Sequence, residues 1–320
     1  MRLLIVADPL GGLRPESDTS LALATEGIAR GHDLWWAEDG EIALSGVSVI
    51  ANAVPITSIA PYAIPTVGGC QMLPIEQFDI VLIRKNPPFD EGYLRLCWLL
   101  APYESRVVVS NRASVLLRYH EKLLPLCGVQ AGFFQADEIV PTILTRDPAF
   151  LQAFMAEHRA EAWVVKPWTG FGGRGVERYP SAEAVLAAVA ASPTPMLVSP
   201  FLPEVMTTGD RRVFYLRGQM VGDLVRIPPP GGFIANLAFG GHGTLHGMSD
   251  RTRHLCAQLG NFLRSIDCDF AGADLLGDRL SEVNITSPTG INTLVRLGGP
   301  SLAGPILDAI TGHVVRKEGG

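Results

Sequence analysis

Short apolar runs alternate with helical stretches over the first 120 residues, and no other feature of the sequence limits the possible folds so strongly. Strands and helices that follow one another in this way favour an α/β layer built on a mostly parallel sheet. The expected strands are residues 3–7, 33–37, 78–83 and 106–110. The expected helices are residues 21–30, 91–100 and 112–124, and the last of these carries Lys122.

From residue 128 the pattern changes to a compact α+β unit and then to a region in which strands dominate. In the first unit we predict strands at 142–144, 162–166 and 196–202 and helices at 148–157 and 181–191. In the second we predict strands at 212–216, 219–226, 271–276 and 280–285. Residues 227–247 interrupt this region with three consecutive prolines, several glycines and no charged residue, which is typical of a lid or a disordered segment.

Charge and cysteine content exclude several classes of protein. The net charge is −6 and the 26 basic residues are scattered, whereas a nucleic-acid surface needs a basic stripe, so we expect no nucleic-acid partner. The five cysteines show neither a CxxC motif nor a Cys/His ligand spacing, which indicates reduced thiols in the cytoplasm. Residues 42–75 are uncharged, but their prolines and polar residues argue against a membrane-spanning helix, so we expect no membrane partner.

A hairpin predicted near residue 278 places two acidic residues opposite each other. A three-residue loop at 277–279 would make Leu276 face Leu280. Counting outward from that pair, Asp274 lies opposite Glu282.

The same face of this hairpin carries a third oxygen-bearing side chain, Asn284, two residues beyond Glu282. Two opposed carboxylates repel each other, by about 0.2–1 kcal/mol on an exposed sheet and more when buried. A hard divalent cation such as Mg²⁺, bound by Asp274, Glu282 and Asn284 and shared with phosphates, would remove that repulsion. The alternative is an ordinary hairpin with a solvated polar face.

A glycine-rich loop follows the predicted strand that ends at Lys166. Gly170, Gly172 and Gly175 satisfy the pattern G-x-G-x-x-G, but a dinucleotide-binding loop opens directly into a helix and has an acidic residue about 20 positions later. Here the next helix is expected only at residue 181, and residues 190–203 contain no Asp or Glu. We therefore reject a dinucleotide-binding site.

A loop whose backbone N–H groups cover phosphates remains, with Lys166 as the anchoring cation. Lys166 is flanked by two valines and by Pro167-Trp168, and a lysine half buried among such residues is costly without an anion. The alternative is a glycine-rich turn beside a lysine that extends its head to solvent. Lys122 could also reach phosphate, although alone it is indistinguishable from a surface charge.

Taken in order, these motifs resemble the ATP-grasp ligases and, within them, are similar to those of the bacterial glutathione synthetases. The matching positions, in chain order, are Asp8, Asp18-Thr-Ser20, Arg84-Lys85-Asn-Pro-Pro, Lys122, Lys166-Pro, the Gly170, Gly172, Gly173 and Gly175 loop, Val198 to Pro203, Arg212, Arg226, Asn236, and Asp274 with Glu282 and Asn284. The resemblance covers residues 1 to about 312.

This resemblance implies an ATP-grasp fold with an N-terminal parallel-sheet domain that precedes the ATP-grasp part. Residues 1–121 would form that substrate domain, residues 122–202 the small lid subdomain, and residues 203–316 the C-terminal subdomain with the metal site. The implied activity is the ATP-dependent joining of a small-molecule acid to an amine through an acyl phosphate, by a homo-oligomer. The implied cofactors are ATP and Mg²⁺ or Mn²⁺.

The resemblance also implies a role for each matched residue. Lys122, Lys166 and the glycines 170, 172, 173 and 175 would bind ATP phosphates, and Ser199, Pro200, Phe201 and Leu202 would bind adenine. Asp274, Glu282 and Asn284 would bind the metal, and Arg212, Arg226 and Asn236 would be catalytic. Asp18, Ser20, Arg84 and Lys85 would contact substrate; for the last two, the alternative is a solvated turn.

Two positions depart from the family's pattern. Ile234 stands where the family commonly has an arginine, two residues before Asn236, and Gly290-Ile291-Asn292 stands where it has Cys-Ile-Arg. Both concern the end of the site that receives the amine. Different acid or amine substrates, and an ATP-binding regulatory protein without catalysis, therefore stay as alternatives. His242 and His246 have no acidic or cysteine partner nearby, and we predict no zinc site there.

Overall fold

The computed structural model describes residues 1–236 and 240–318. The predicted lid loop is thus described only in part, since residues 237–239 lie outside the described residues. Among the helices of the described ranges, none is long and apolar enough to cross a membrane.

Within the described residues the architecture is mixed α/β, with three sheets. The strands are β1 Arg2–Val6, β2 Asp33–Ala37, β3 Ile42–Ser45, β4 Ser48–Ser58, β5 Thr66–Val67, β6 Gln71–Pro74, β7 Ile80–Ile83, β8 Val108–Ser110, β9 Ile143–Thr145, β10 Trp163–Pro167, β11 Glu177–Tyr179, β12 Met196–Pro200, β13 Asp210–Leu216, β14 Gln219–Ile227, β15 His242–Thr244, β16 Phe270–Leu276 and β17 Arg279–Asn284. The helices are α1 Thr19–Ala29, α2 Glu91–Leu100, α3 Ala113–Arg118, α4 Leu124–Gln130, α5 Pro148–His158, α6 Ala182–Ala191, α7 Asp250–Ser265, α8 Ile291–Arg296 and α9 Ala303–Glu318.

The first sheet contains the parallel core that the alternating pattern predicted. Strands β2, β1, β7 and β8 are parallel neighbours, whereas β3 and β4 extend the sheet in antiparallel fashion. The chain connects β1 to β2 through α1, whose first turn is capped by Asp18. The prediction missed strands β3 to β6, which lie in the uncharged stretch.

Two antiparallel sheets form the remainder. One has the order β11-β10-β12-β9, and the other has the order β15-β14-β13-β16-β17. The four-stranded sheet and helices α5 and α6 bury a small core of their own, which includes Leu151, Trp163 and Val185. The five-stranded sheet shares two larger cores with the first sheet: Leu4 and Val213 lie in one, and Leu3 and Phe214 in the other.

One prediction about helices is wrong, and one long helix was missed. Residues 112–124 do not form one helix, because α3 ends at Arg118 and α4 starts at Leu124, so Lys122 lies in the turn between them. Pro125 has no N–H with which to continue a helix from the preceding turn, and it stands in the first turn of α4 instead. The 16-residue helix α7 was not predicted, although Ser249 caps it and its apolar residues recur at helical spacing.

Candidate active site

A cavity of about 200 Å³ lies between the four-stranded and the five-stranded sheets. Both sheets, the α3–α4 turn and the described end of the 227–236 segment contribute to its walls. The predicted residues that line it are Lys122, Lys166, Gly170, Gly172, Gly173, Ser199, Pro200, Phe201, Leu202, Arg212, Arg226, Asn236, Asp274, Glu282 and Asn284. Gly175 does not line this cavity, and Asp18, Ser20, Arg84 and Lys85 lie outside it.

The β16–β17 hairpin brings the three predicted metal ligands to one wall of the cavity. Asp274 pairs with Glu282, as predicted, and Gly272 pairs with Asn284. The Asn284 Nδ2 atom lies 3.2 Å from the Asp274 Oδ2 atom. The three side chains therefore lie on one face of the hairpin, and that face borders the cavity.

The turn of this hairpin is not the predicted one. Leu276 pairs with Arg279 rather than with Leu280, so the loop has two residues, and Gly277 adopts a positive φ of 58° that such a turn requires. The register then shifts between Asp274 and Leu275. This β-bulge compensates for the shorter loop and restores the pairing of the two acids.

Asp274 is held by two arginines from the neighbouring strands. Arg212 Nε lies 2.5 Å from Asp274 Oδ1, and Arg212 Nη2 lies 2.9 Å from Asp274 Oδ2. Arg226 Nη2 lies 2.8 Å from Asp274 Oδ1. Burial by itself would raise the pKa of Asp274, but the charges of Arg212 and then Arg226 outweigh it and lower that pKa to about 2. The carboxylate is therefore ionised at neutral pH.

Asp210 is a further acidic residue beside Asp274 and its two arginines, and it was not among the predicted site residues. It accepts a hydrogen bond from Arg226 Nη2 and lines the cavity. Burial raises its pKa to about 6, against the opposing charge of Arg226. The adjacent motif Asp210-Arg211-Arg212 at the start of a predicted strand is the signal that could have identified it.

Glu282 lies beside two lysines of the cavity wall, Lys122 and Lys166. Lys122 Nζ lies 3.2 Å from Glu282 Oε1 and also donates to the backbone oxygen of Gly170. Burial lowers the pKa of Lys166, while the charge of Glu282 acts in the opposite direction. Burial alone would raise the pKa of Glu282, but the charges of Lys122 and then Lys166 outweigh it and lower that pKa.

The glycine-rich loop closes one side of the cavity without a regular structure. Gly172, Gly173 and Gly175 have positive φ angles of 63°, 85° and 70°, a region that other residues rarely adopt. A side chain at position 172 would meet no heavy atom within 4 Å, so its backbone faces open space. The loop at Gly172 therefore leaves room for an anion such as a phosphate group.

An apolar wall stands at the other end of the cavity. It is formed by Phe201, which follows β12, together with Phe233, and their ring centroids are 6.1 Å apart in an edge-to-face arrangement. The guanidinium of Arg178 lies 4.0 Å from the centroid of the Phe201 ring. A flat aromatic base can pack against such a wall.

The donor set of the hairpin fits a hard divalent cation. It consists of two carboxylates and an amide, the oxygen ligands that Mg²⁺ and Ca²⁺ take, and no soft ligand is present among them. Among the described residues, no three His, Cys, Asp or Glu side chains converge on a metal-sized space, so a metal here needs the Asn284 oxygen or ligands from a phosphate. A metal shared with bound phosphates is the arrangement that this composition favours.

The four predicted substrate residues lie beside the carboxyl ends of β1 and β7. Asp18 accepts a hydrogen bond from Leu21 N at 2.8 Å, and burial raises its pKa. Arg84 is buried, and its Nε atom lies 3.3 Å from Ser20 Oγ. Lys85 points elsewhere, since its Nζ atom lies 3.5 Å from Asp39 Oδ2. The structure therefore brings Asp18, Ser20 and Arg84 together and leaves Lys85 apart from them.

One segment connects this group to the cavity. Arg212 Nη1 donates to the Thr289 oxygen at 3.1 Å, and Arg84 Nη2 donates to the Pro288 oxygen at 2.9 Å. Asn86 accepts from the hydroxyl of Ser287 at 2.9 Å. Residues 287–289 are thus fixed from both ends of the site.

The positions that depart from the family's pattern can also be located. Ile234 lines the cavity. Asn292 is buried, and its Nδ2 atom donates to the backbone oxygen of Asp18 at 3.2 Å. The nearby Arg296 lies outside the cavity, and its Nη1 atom donates to the backbone oxygen of Glu16 at 2.7 Å.

Comparison with known proteins gives one consistent result. Residues 1–117 match the family model described as prokaryotic glutathione synthetase, N-terminal domain. Residues 131–299 match the model described as prokaryotic glutathione synthetase, ATP-grasp domain. The glutathione synthetase of Nitrosomonas europaea is 31% identical over 330 residues, which cover 99% of this chain and 100% of that protein.

Solved structures agree on the fold. A D-cycloserine synthetase superimposes with a TM-score of 0.67 at 15% identity, covering 98% of this chain and 100% of that chain. An ATP-grasp ligase solved with a minimal precursor, Mg and ADP gives a TM-score of 0.61 at 16% identity and covers 98% of each chain. At such identities the likeness concerns the fold, and it confirms the predicted ATP-grasp architecture.

Proposed function

The chain belongs to the prokaryotic glutathione synthetase family and is an ATP-dependent ligase that forms a C–N bond, and we propose that it joins γ-glutamylcysteine to glycine. The proposal includes Mg²⁺ as the metal and the reducing cytoplasm as the compartment. The five cysteines are free in the structure, which suits that compartment.

One observation carries the proposal beyond family membership. Four cations, Lys122, Lys166, Arg212 and Arg226, line the same cavity as the acids Asp274 and Glu282. Transfer of a phosphoryl group from ATP requires cations around the phosphates and a place for a divalent ion. It does not require a nucleophilic side chain of the protein.

The first step activates the acid. A carboxylate oxygen of γ-glutamylcysteine attacks the γ-phosphorus of ATP, the bond to the bridging oxygen breaks, and ADP leaves. Lys122, Lys166 and the glycine-rich loop that lines the cavity hold the phosphates during this transfer. A Mg²⁺ ion bound by Asp274, Glu282 and Asn284 would neutralise part of the phosphate charge.

The second step forms the amide. The neutral amino nitrogen of glycine attacks the acyl carbon of the acyl phosphate, the bond from that carbon to the phosphate oxygen breaks, and the nitrogen gives one proton to the departing phosphate. Arg212 and Arg226 lie where they can stabilise the leaving phosphate. Phe233 and Ile234 line the cavity and exclude water, which would otherwise hydrolyse the acyl phosphate.

The test is an ADP-release assay in which acids and amines are varied separately. We expect release only when Mg²⁺, γ-glutamylcysteine and glycine are present together, with glutathione as the product detected by mass spectrometry. Repeated turnover of ATP to ADP without glycine, or with an unrelated amine in its place, would contradict the proposed substrates.

A second candidate is an ATP-grasp ligase for a different acid or amine. It is favoured by Ile234, which places an apolar side chain on the cavity wall. It is also favoured by Asn292, whose side-chain amide donates a hydrogen bond to the backbone oxygen of Asp18. A panel of amino acids and amines of increasing size distinguishes this candidate from glycine addition. Binding of ATP without turnover of any pair would instead indicate a regulatory protein.

A further inference from the structure

Glu121 is buried directly before Lys122 and holds the end of β17 from both sides of Asn284. Its Oε1 atom accepts from Ile285 N at 2.8 Å, from Thr286 N at 2.8 Å and from Thr286 Oγ1 at 2.6 Å. Its backbone oxygen accepts from Val283 N at 3.3 Å. The turn between α3 and α4 is thereby attached to the strand that carries two of the proposed metal ligands.

The next residue links the same turn to the phosphate side of the cavity. Lys122 Nζ lies 3.2 Å from Glu282 Oε1 and donates to the oxygen of Gly170 in the glycine-rich loop. The relative position of this ammonium group and Asn284 therefore depends on how the turn is fixed to β17. No regular helix supplies that rigidity, since residues 119–123 lie between α3 and α4.

We propose that Glu121 is a positioning residue, whose carboxylate sets the distance between the phosphate-binding Lys122 and the metal-binding Asn284. This inference rests on the proposed function of those two residues, and it makes no use of the identity of the acid or the amine. Glu121 itself does not line the cavity, so it acts through its neighbours.

Three donors that converge on one oxygen need an acceptor that is strong and fixed. Burial and then the charge of Glu282 raise the pKa of Glu121, whereas the hydrogen bonds from Thr286 act in the opposite direction. A structural role in one helix or strand alone would not explain why all three donors to its carboxylate belong to residues 285–286, about 165 positions away in the chain.

The experiment compares three variants with a control. Glu121→Ala removes the acceptor, Glu121→Gln keeps an oxygen acceptor, and Thr286→Val removes only the hydroxyl donor. The control is Tyr103→Phe, which takes the acceptor away from the buried Val49 N in the first sheet, where the Tyr103 oxygen lies 2.9 Å from that nitrogen. ADP binding is measured by calorimetry over a range of Mg²⁺ concentrations and in EDTA, together with the thermal midpoint of unfolding.

We expect Glu121→Ala to weaken Mg²⁺-dependent ADP binding by about 10- to 100-fold, the range found when a residue that orients metal ligands is removed. Glu121→Gln should stay close to the wild type, and Thr286→Val should fall between the two. Tyr103→Phe should lower the thermal midpoint without changing the Mg²⁺ dependence.

The inference is overturned if Glu121→Ala lowers the thermal midpoint but leaves the Mg²⁺ dependence of ADP binding like that of the control. It is also overturned if Glu121→Gln is as impaired as the alanine variant. If the alanine variant does not fold, Thr286→Val decides: an unchanged Mg²⁺ dependence refutes the inference, and a weakened one supports it. Because ADP binding needs neither acid nor amine, failure of the proposed substrates would leave this outcome unaffected.

Discussion

Arg226→Met should destabilise the protein by an amount that depends on pH. Arg226 Nη2 is hydrogen-bonded to Asp210 and lies 2.8 Å from Asp274 Oδ1. Without this guanidinium, Asp274 keeps its two bonds to Arg212, whereas Asp210 loses its ionic partner. Breaking a buried ion pair in this way typically costs about 3–5 kcal/mol.

The variant can reduce this cost by protonating Asp210. Since the pKa of Asp210 is already raised to about 6 by burial, its protonation at pH 7 costs only about 1.4 kcal/mol. The lost hydrogen bond to Asp274, a charged acceptor, adds about 1.5 kcal/mol. We therefore expect a loss of about 3 kcal/mol at pH 7, at the lower limit for a broken buried pair.

The sign of the pH dependence follows from the same pKa. An acid whose pKa is higher in the folded state than in the unfolded chain loses stability as the pH rises. The variant raises the folded pKa of Asp210 further, so its deficit relative to the wild type appears above about pH 6. At pH 5 only the loss of about 1.5 kcal/mol remains, and at pH 8 the deficit grows to about 4 kcal/mol.

Urea unfolding followed by tryptophan fluorescence, in EDTA at pH 5, 7 and 8, measures these differences. The control is Arg211→Met on the same strand, which breaks the pair with Asp223 and two hydrogen bonds to the backbone oxygens of His246 and Gly247. It leaves Asp210 paired with Arg226, so its cost should not rise between pH 5 and pH 8. A deficit for Arg226→Met that is equal at the three pH values, or largest at pH 5, would refute the reasoning.

Three further variants test other parts of the structure. Asn284→Ala should lower turnover about 100-fold with little change in the thermal midpoint, and unchanged ADP release would exclude it as a metal ligand. Lys166→Met should keep or raise the thermal midpoint, because burial disfavours the charged lysine, while the KM for ATP rises; an unchanged KM would contradict a phosphate role. Gly128→Ala should destabilise the protein by about 1–3 kcal/mol in urea unfolding, since the new Cβ would lie 2.0 Å from Cζ of the buried Phe134 ring, and a stable variant would show that this ring can move.

The sequence predicted the strands and helices that are determined by residues close together in the chain. Strand Asp33–Ala37 and helix Glu91–Leu100 have the predicted bounds, because a continuous apolar run and the Asp90 cap act over a few residues. The β16–β17 hairpin shows where counting residues outward from an assumed turn fails. The loop is one residue shorter than predicted, and only the bulge beside Asp274 restores the predicted pairing with Glu282.

Many of the contacts around the site could not be predicted, because the two residues of each contact are distant in the chain. Glu121 meets Thr286 over 165 positions, and Arg84 meets Pro288 over 204. No periodicity or spacing in one sequence reports such contacts. The motifs located the lysines and acids one at a time, and the structure supplies the distances among them.

The distribution of the three cores has a consequence for synthesis of the chain. Leu151, Trp163 and Val185 bury one another within a single stretch, so this middle unit can fold as soon as it leaves the ribosome. The other two cores combine residues near the start of the chain, such as Leu4, with residues near its end, such as Val283. The first sheet therefore cannot complete these two cores until the last hundred residues have been made.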